Sequence, residues 1–132
     1  MSDANVDRAA RLDTATLSDA LDKCGLNGQC YRIKPRSTSF RMAGRAWTLR
    51  YGPAGDPPGT VGDYIDDLPP GTVVVLDNQG RDDATVWGDI LTEVAHQKGI
   101  AGTLIVVALA HAAAWWALAR ASAGWALAHS VG

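Results

Sequence analysis

The chain has 132 residues, enough for one domain around a single core, and a formal net charge of −2. Acids and bases are spread along it with no basic run, which argues against a nucleic-acid binder carrying a concentrated cationic face. Cys24 and Cys30 come without a second cysteine pair, so they suit two reduced thiols of a cytosolic protein better than a zinc site; a local disulfide is the alternative. The first eight residues are polar and acidic with no apolar stretch, which argues against secretion.

In chain order, Leu12, Leu17, Ala20 and Leu21 form an apolar stripe that predicts a helix over about 14–23, capped by Asp13 or Thr14 and ended by Gly25. Cys30 to Ile33 reads as a short strand, and the partial alternation from Ala43 to Tyr51 predicts another. The breakers of Gly52-Pro-Ala-Gly-Asp-Pro-Pro-Gly59 make a loop, and Thr60–Leu68 can form a short helix before Pro69. Thr72-Val-Val-Val-Leu-Asp77 is a β-branched run that suits a central strand covered on both faces. Residues 78–83 loop from its end, Trp87–Lys98 has helical spacing and stops at Gly99, and the run from Gly102 reads as the next buried strand. Strand, loop, helix and strand over 72–107 compose a βαβ unit, so the body is α/β.

The candidate site lies on that unit. Gly88-Asp89-Ile90-Leu91 opens the helix after the buried strand, where amides lack intrahelical partners and the helix dipole favours an anion. Gly88 leaves room for a ligand near the backbone, so a small carboxylate is a sensible occupant. The plainer reading is that Gly88 only makes the turn and Asp89 only stabilises the helix start. Arg81, Asp82 and Asp83 occupy the loop after the central strand, the edge of α/β sheets that commonly hosts ligands. Asp63, Asp66 and Asp67 are read as a solvated helix face rather than a metal cluster. His96 falls beyond the ligand end of its helix, and Trp87 is assigned to packing. No serine–histidine–acid set or phosphate loop is evident.

The string from Gly59-Thr-Val-Gly-Asp-Tyr through Gln79-Gly-Arg-Asp-Asp-Ala-Thr-Val-Trp-Gly-Asp-Ile-Leu91 to Lys98-Gly-Ile-Ala-Gly-Thr103 resembles the RraA-like family. Leu12-Asp-Thr-Ala-Thr-Leu-Ser-Asp-Ala-Leu21 and Met42-Ala-Gly-Arg-Ala-Trp-Thr-Leu49 agree, so the resemblance covers residues 11–105. It implies a layered α/β/α domain and a homotrimer or hexamer. Many members are divalent-metal lyases that cleave 4-hydroxy-4-methyl-2-oxoglutarate or 4-carboxy-4-hydroxy-2-oxoadipate to pyruvate and a second oxoacid, and that decarboxylate oxaloacetate. Others bind ribonuclease E and lower its activity. By resemblance, the backbone of Gly88–Leu91 receives the pyruvate carboxylate, Asp89 holds metal-bound water, Arg81 belongs to the substrate side, and the ion is Mg2+ or Mn2+. Neither nucleic acid nor membrane is expected as a partner, and the expected location is the cytoplasm.

The aldolases then carry Asp-Gly-x-x-Arg-Asp, whose arginine grips substrate and whose last aspartate ligates metal. Here residues 106–111 are Val-Val-Ala-Leu-Ala-His: Ala110 replaces the arginine and His111 the aspartate. Ala110 offers no bidentate grip, and a neutral imidazole suits a magnesium site poorly, so the expected activity is weak or nil. His111 is read as having no role. From Ala101 onward the sole formal charge is Arg120, and Trp115, Trp116 and Trp125 sit among alanines. The expected architecture is therefore an RraA-like N-terminal part, 1–105, C-terminally truncated, with a divergent Ala/Trp-rich tail over 106–132. Two accounts of that tail stand open: an out-of-frame read of GC-rich DNA, or a helix that covers the sheet. A membrane span over Ile100–Ala119 is long enough but holds His111 and many weakly apolar alanines.

Overall fold

The computed structural model describes residues 3–31, 33–81 and 83–106. The expectations for the tail, for Ala110 and His111, and for Asp82 lie outside these described residues.

Two helices come first. Helix α1 (Ala4–Ala9) has no apolar periodicity to announce it; its start is made by the Asp3 carboxylate, which accepts from the amides of Asn5 at 2.9 Å and Val6 at 3.3 Å. The same carboxylate pairs with Arg45, so the side chain that caps this helix, which has no buried residue, also ties it to the sheet. Helix α2 (Thr14–Lys23) is where its stripe predicts it. Asp13 caps it by accepting from the Thr16 amide at 2.7 Å, and Gly25 follows its end at φ 68°, a left-handed turn that suits glycine.

The expected strand at Cys30–Ile33 is not formed at its described residues, Cys30, Tyr31 and Ile33. Tyr31 N–H donates back to the Gln29 carbonyl at 3.1 Å and Ile33 N–H to that of Cys30 at 3.4 Å. Short local turns satisfy the backbone here, because no neighbouring strand offers a ladder. Both cysteines are free and exposed.

The core is a parallel three-stranded sheet of β1 (Arg45–Arg50), β2 (Thr72–Asp77) and β3 (Gly102–Val106), in that order. Register runs from Arg45↔Thr72 to Arg50↔Asp77 on one side, and from Val73↔Gly102 to Asp77↔Val106 on the other. Gly102–Val106 is thus a strand, not the start of a helical span, and among the described residues no helix is long and apolar enough to cross a membrane.

The β1–β2 connection carries a short 3-10 helix (Asp63–Asp67) within the stretch expected to form one, and the β2–β3 connection carries α3 (Asp89–Gln97). Strands that advance in one direction place right-handed crossovers on one face, and the packing agrees. Leu49, Val74 and Leu76 from the sheet meet Leu68 and Val86 from the two connections, with Trp47, Tyr51, Tyr64, Trp87 and Ile100 around them. Val74 and Leu76 are fully buried, each stabilising the fold by about 1.5–3 kcal/mol. Trp47 stacks on Tyr64 with centroids 4.9 Å apart and planes 15° from parallel. On the opposite face Val75 and Thr48 are half-buried and Val73 and Leu104 are buried, while Ile105, which pairs with Leu76, is exposed at the sheet's edge. Helices over a parallel sheet match the expected α/β class.

Candidate functional site at the carboxyl edge of the sheet

Parallel register brings the C-terminal ends of all three strands to one edge, and polar side chains tie them together there. The Tyr51 amide donates to the Asp77 carbonyl at 2.9 Å, and the Asn78 amide donates to that of Val106 at 3.1 Å. The buried Asp77 carboxylate accepts from Arg50 Nε at 2.8 Å and from the Gln79 amide at 2.9 Å. Gln79 is held at φ 51°, and its side-chain amide donates to the Tyr51 carbonyl.

Asn78 sets the loop that follows. Its side chain is buried and donates to the carbonyls of Arg81 at 2.9 Å and Ala84 at 3.1 Å. Two donors on one planar amide therefore fix the backbone between β2 and the approach to α3. Arg81 itself makes a two-pronged pair with Asp83, Nε to Oδ1 at 2.9 Å and Nη2 to Oδ2 at 2.8 Å. The Asp83 carboxylate beside Arg81 raises the guanidinium's pKa, and Arg81 in turn holds the Asp83 carboxyl below its ordinary value. The Arg81 side chain is thus bonded to its own loop rather than to the Gly88–Leu91 turn.

The start of α3 is built from Thr85, Trp87 and Thr92. The Thr85 hydroxyl donates to the Trp87 carbonyl at 2.8 Å. Trp87 Nε1 donates to the Thr92 hydroxyl at 2.9 Å, and that hydroxyl donates to the Gly88 carbonyl at 2.8 Å. The Thr92 amide also donates to Gly88 O, at 3.0 Å, so the carbonyl side of this turn is saturated. The amide side is not. Gly88 is the N-cap and supplies no side-chain acceptor, and the space where a Cβ would stand is open. The Asp89 carboxylate accepts from the Ile90 amide at 2.9 Å, and Ile90 is 76% exposed. The turn is a fixed, open set of donors beside one carboxylate.

Other candidates fall elsewhere. Asp63, Asp66 and Asp67 are exposed on the 3-10 turn, and His96 is exposed in the last turn of α3. Among the described residues no three His, Cys, Asp or Glu side chains converge on a point that could hold a metal. Asp77, Asn78 and Thr92 were not among the sequence candidates, because their backbone bonds are short-range turn contacts, Asn78 to Arg81 and Ala84 and Thr92 to Gly88, that residue type alone does not announce. The signal available was a polar pair, Asp77-Asn78, closing an apolar run.

A model of the RraA-like family (aldolase/RraA) matches residues 14–111. The chain belongs to the RraA-like family. Its resemblance reaches the protein DlpA of Legionella pneumophila (strain Philadelphia 1), 42% identical over 97 residues, which are 70% of this chain and 16% of DlpA. A solved structure of an uncharacterized protein from Pseudomonas syringae pv. tomato is similar at a TM-score of 0.70 and 42% identity, over 80% of this chain and 47% of that one. The chain therefore spans less than half the length of these RraA-like relatives. The family match runs through the turn at Gly88–Leu91 and ends at His111.

Proposed function

We propose that this chain is related to the divalent-metal pyruvate aldolases and decarboxylases of the RraA-like family, and that it keeps their carboxylate-binding turn with weak or absent lyase activity. The observation that carries this is the α3 start: an N-terminus with no side-chain cap, open above Gly88, at the carboxyl edge of a parallel sheet. A 2-oxoacid carboxylate placed there would receive first-turn amide hydrogen bonds and the favourable end of the helix dipole.

Lyase chemistry needs more. In the family reading a magnesium or manganese ion polarises the 2-oxo group, with Asp89 reaching it through water. One carboxylate on an exposed turn does not amount to a metal site, and Ala110 and His111 replace the residues that would complete it. The same shortage favours a second reading, a non-catalytic binding protein of the ribonuclease-regulator kind, working through oligomer surfaces. Both readings carry a homo-oligomer, a trimer by resemblance, in the cytoplasm.

The test is pyruvate release from oxaloacetate and from 4-hydroxy-4-methyl-2-oxoglutarate, with magnesium or manganese and then with excess chelator, beside a pyruvate titration followed at backbone amides. The expected result is little or no release, with shifts confined to Gly88–Leu91. Chelator-sensitive turnover would overturn the claim of lost activity. A folded sample whose Gly88–Leu91 signals ignore pyruvate would overturn the carboxylate site.

A further inference from the structure

We infer that the segment 52–62 is a strap seated on the first turn of α3, latched by the Tyr51 hydroxyl and made to fit by Gly62. Tyr51 directly follows β1, and its hydroxyl donates to the Val61 carbonyl at 2.8 Å, turning the far end of the loop back onto the sheet. The next residue, Gly62, lies so close to α3 that a Cβ there would stand 2.8 Å from Leu91 Cδ2. Any side chain at 62 therefore displaces either the strap or Leu91. Beyond Gly62 the connection is anchored by the Trp47–Tyr64 stack and by Ile65 and Leu68, which are 3% and 5% exposed. At the other end of the helix, Lys98 Nζ donates to the Asp66 carbonyl at 2.7 Å. The β1–β2 connection thus grips α3 at both ends, and the grip on its first turn runs through two small features, one hydroxyl and one missing side chain.

The Tyr64 hydroxyl is buried beside that of Tyr51, and burial first and the neighbouring phenol second push its pKa well above the ordinary value. The latch is the bond from Tyr51 to Val61, with the Tyr64 hydroxyl packed next to it. Its consequence is mechanical: releasing the strap frees Leu91 and loosens the turn that presents the amides. Tyr51 is a positioning residue, and its effect on ligand binding rests on the reading of the α3 start as a carboxylate site.

Hydrogen exchange on the full chain tests the coupling without reference to activity. Tyr51→Phe is expected to speed exchange several-fold at Ile65, whose amide donates to the Gly62 carbonyl, and at Thr92, whose amide donates to that of Gly88, together, leaving β2 and β3 protected. Gly62→Ala is expected to do the same from the other contact. Val61→Ala should keep the wild-type pattern, because the latch uses the backbone carbonyl. Faster exchange at Ile65 alone, in either variant, would overturn the inference, as would no change in both. Pyruvate titration then separates the two ideas. Weaker binding in Tyr51→Phe with the same end-point shifts at Gly88–Leu91 supports the strap as a positioning device. Absence of binding in the wild-type chain sinks the carboxylate reading while the exchange result stands by itself.

Discussion

Replacing Asn78 tests whether one buried amide organises the loop that leads to the site. Asn78→Ala removes the donors to the Arg81 and Ala84 carbonyls and leaves the strand bond from its own amide intact. Each neutral hydrogen bond of this kind contributes about 1 kcal/mol net, so the loss should be about 2 kcal/mol, near 3 if the abandoned carbonyls stay shielded from water. Asn78→Asp is the sharper variant. It keeps the shape but turns a carboxylate oxygen toward two carbonyl oxygens, so a buried charge faces acceptors and the cost should exceed that of alanine. Urea unfolding monitored by tryptophan fluorescence measures both, and a 2 kcal/mol loss lowers the midpoint by roughly 1 M at ordinary slopes for a small domain. If alanine costs under about 0.5 kcal/mol, a typical surface value, or aspartate is tolerated as well as alanine, the loop is not held by this side chain.

Further expectations follow from other parts of the structure. Gly88→Ser should add a side-chain cap where open space receives it, raising stability by a few tenths of a kcal/mol while weakening pyruvate binding at the same amides; unchanged affinity on titration would argue against that site. Leu76→Ala, in a fully buried position, should cost about 2–5 kcal/mol by the same urea assay, and a loss below 1 kcal/mol would contradict the packing of the sheet. Asp3, Asp13 and Asp83 are held below the ordinary carboxylate range by Arg45, by the Thr16 amide and by Arg81 respectively. Depressed folded pKa values mean a contribution fully present above the unfolded value of about 4 and lost as pH falls through the lowered ones. Urea midpoints should therefore drop from pH 5 to pH 2.5, and the two arginine-paired parts should shrink in high salt because these groups are exposed. A midpoint that holds or rises on acidification would contradict these assignments.

Elements that announce themselves locally were legible in the sequence. The run at Thr72–Asp77 and the capped stripe at Thr14–Lys23 carry their own evidence, a β-branched core pattern and a cap with a glycine stop. Helix α1 was not legible because it buries nothing; an aspartate cap and a pair with Arg45 across the fold hold it. Cys30–Ile33 misled for the converse reason, since a strand exists only where a partner is available. At the site, the open turn at Gly88 could be read from residue order alone. The Asn78 clasp, the Thr92 bridge and the Tyr51 latch could not, because each depends on which backbone carbonyl the fold brings near.

The one-way order of the parallel strands also has a kinetic side. Among the described strands no hairpin joins any pair, so each of their contacts spans a complete connection whose closure costs entropy before any ladder bond rewards it. Helix α2, with its own cap and stop, can flicker into place in microseconds, whereas the sheet waits on distant encounters. The turn at Gly88 sits inside the β2–β3 connection, which leaves the sheet at Asn78, whose amide donates to the Val106 carbonyl while its side chain holds the carbonyls of Arg81 and Ala84. One residue thus joins order in that loop to the docking of β3, and the loop holds its full set of bonds once β2 and β3 have paired.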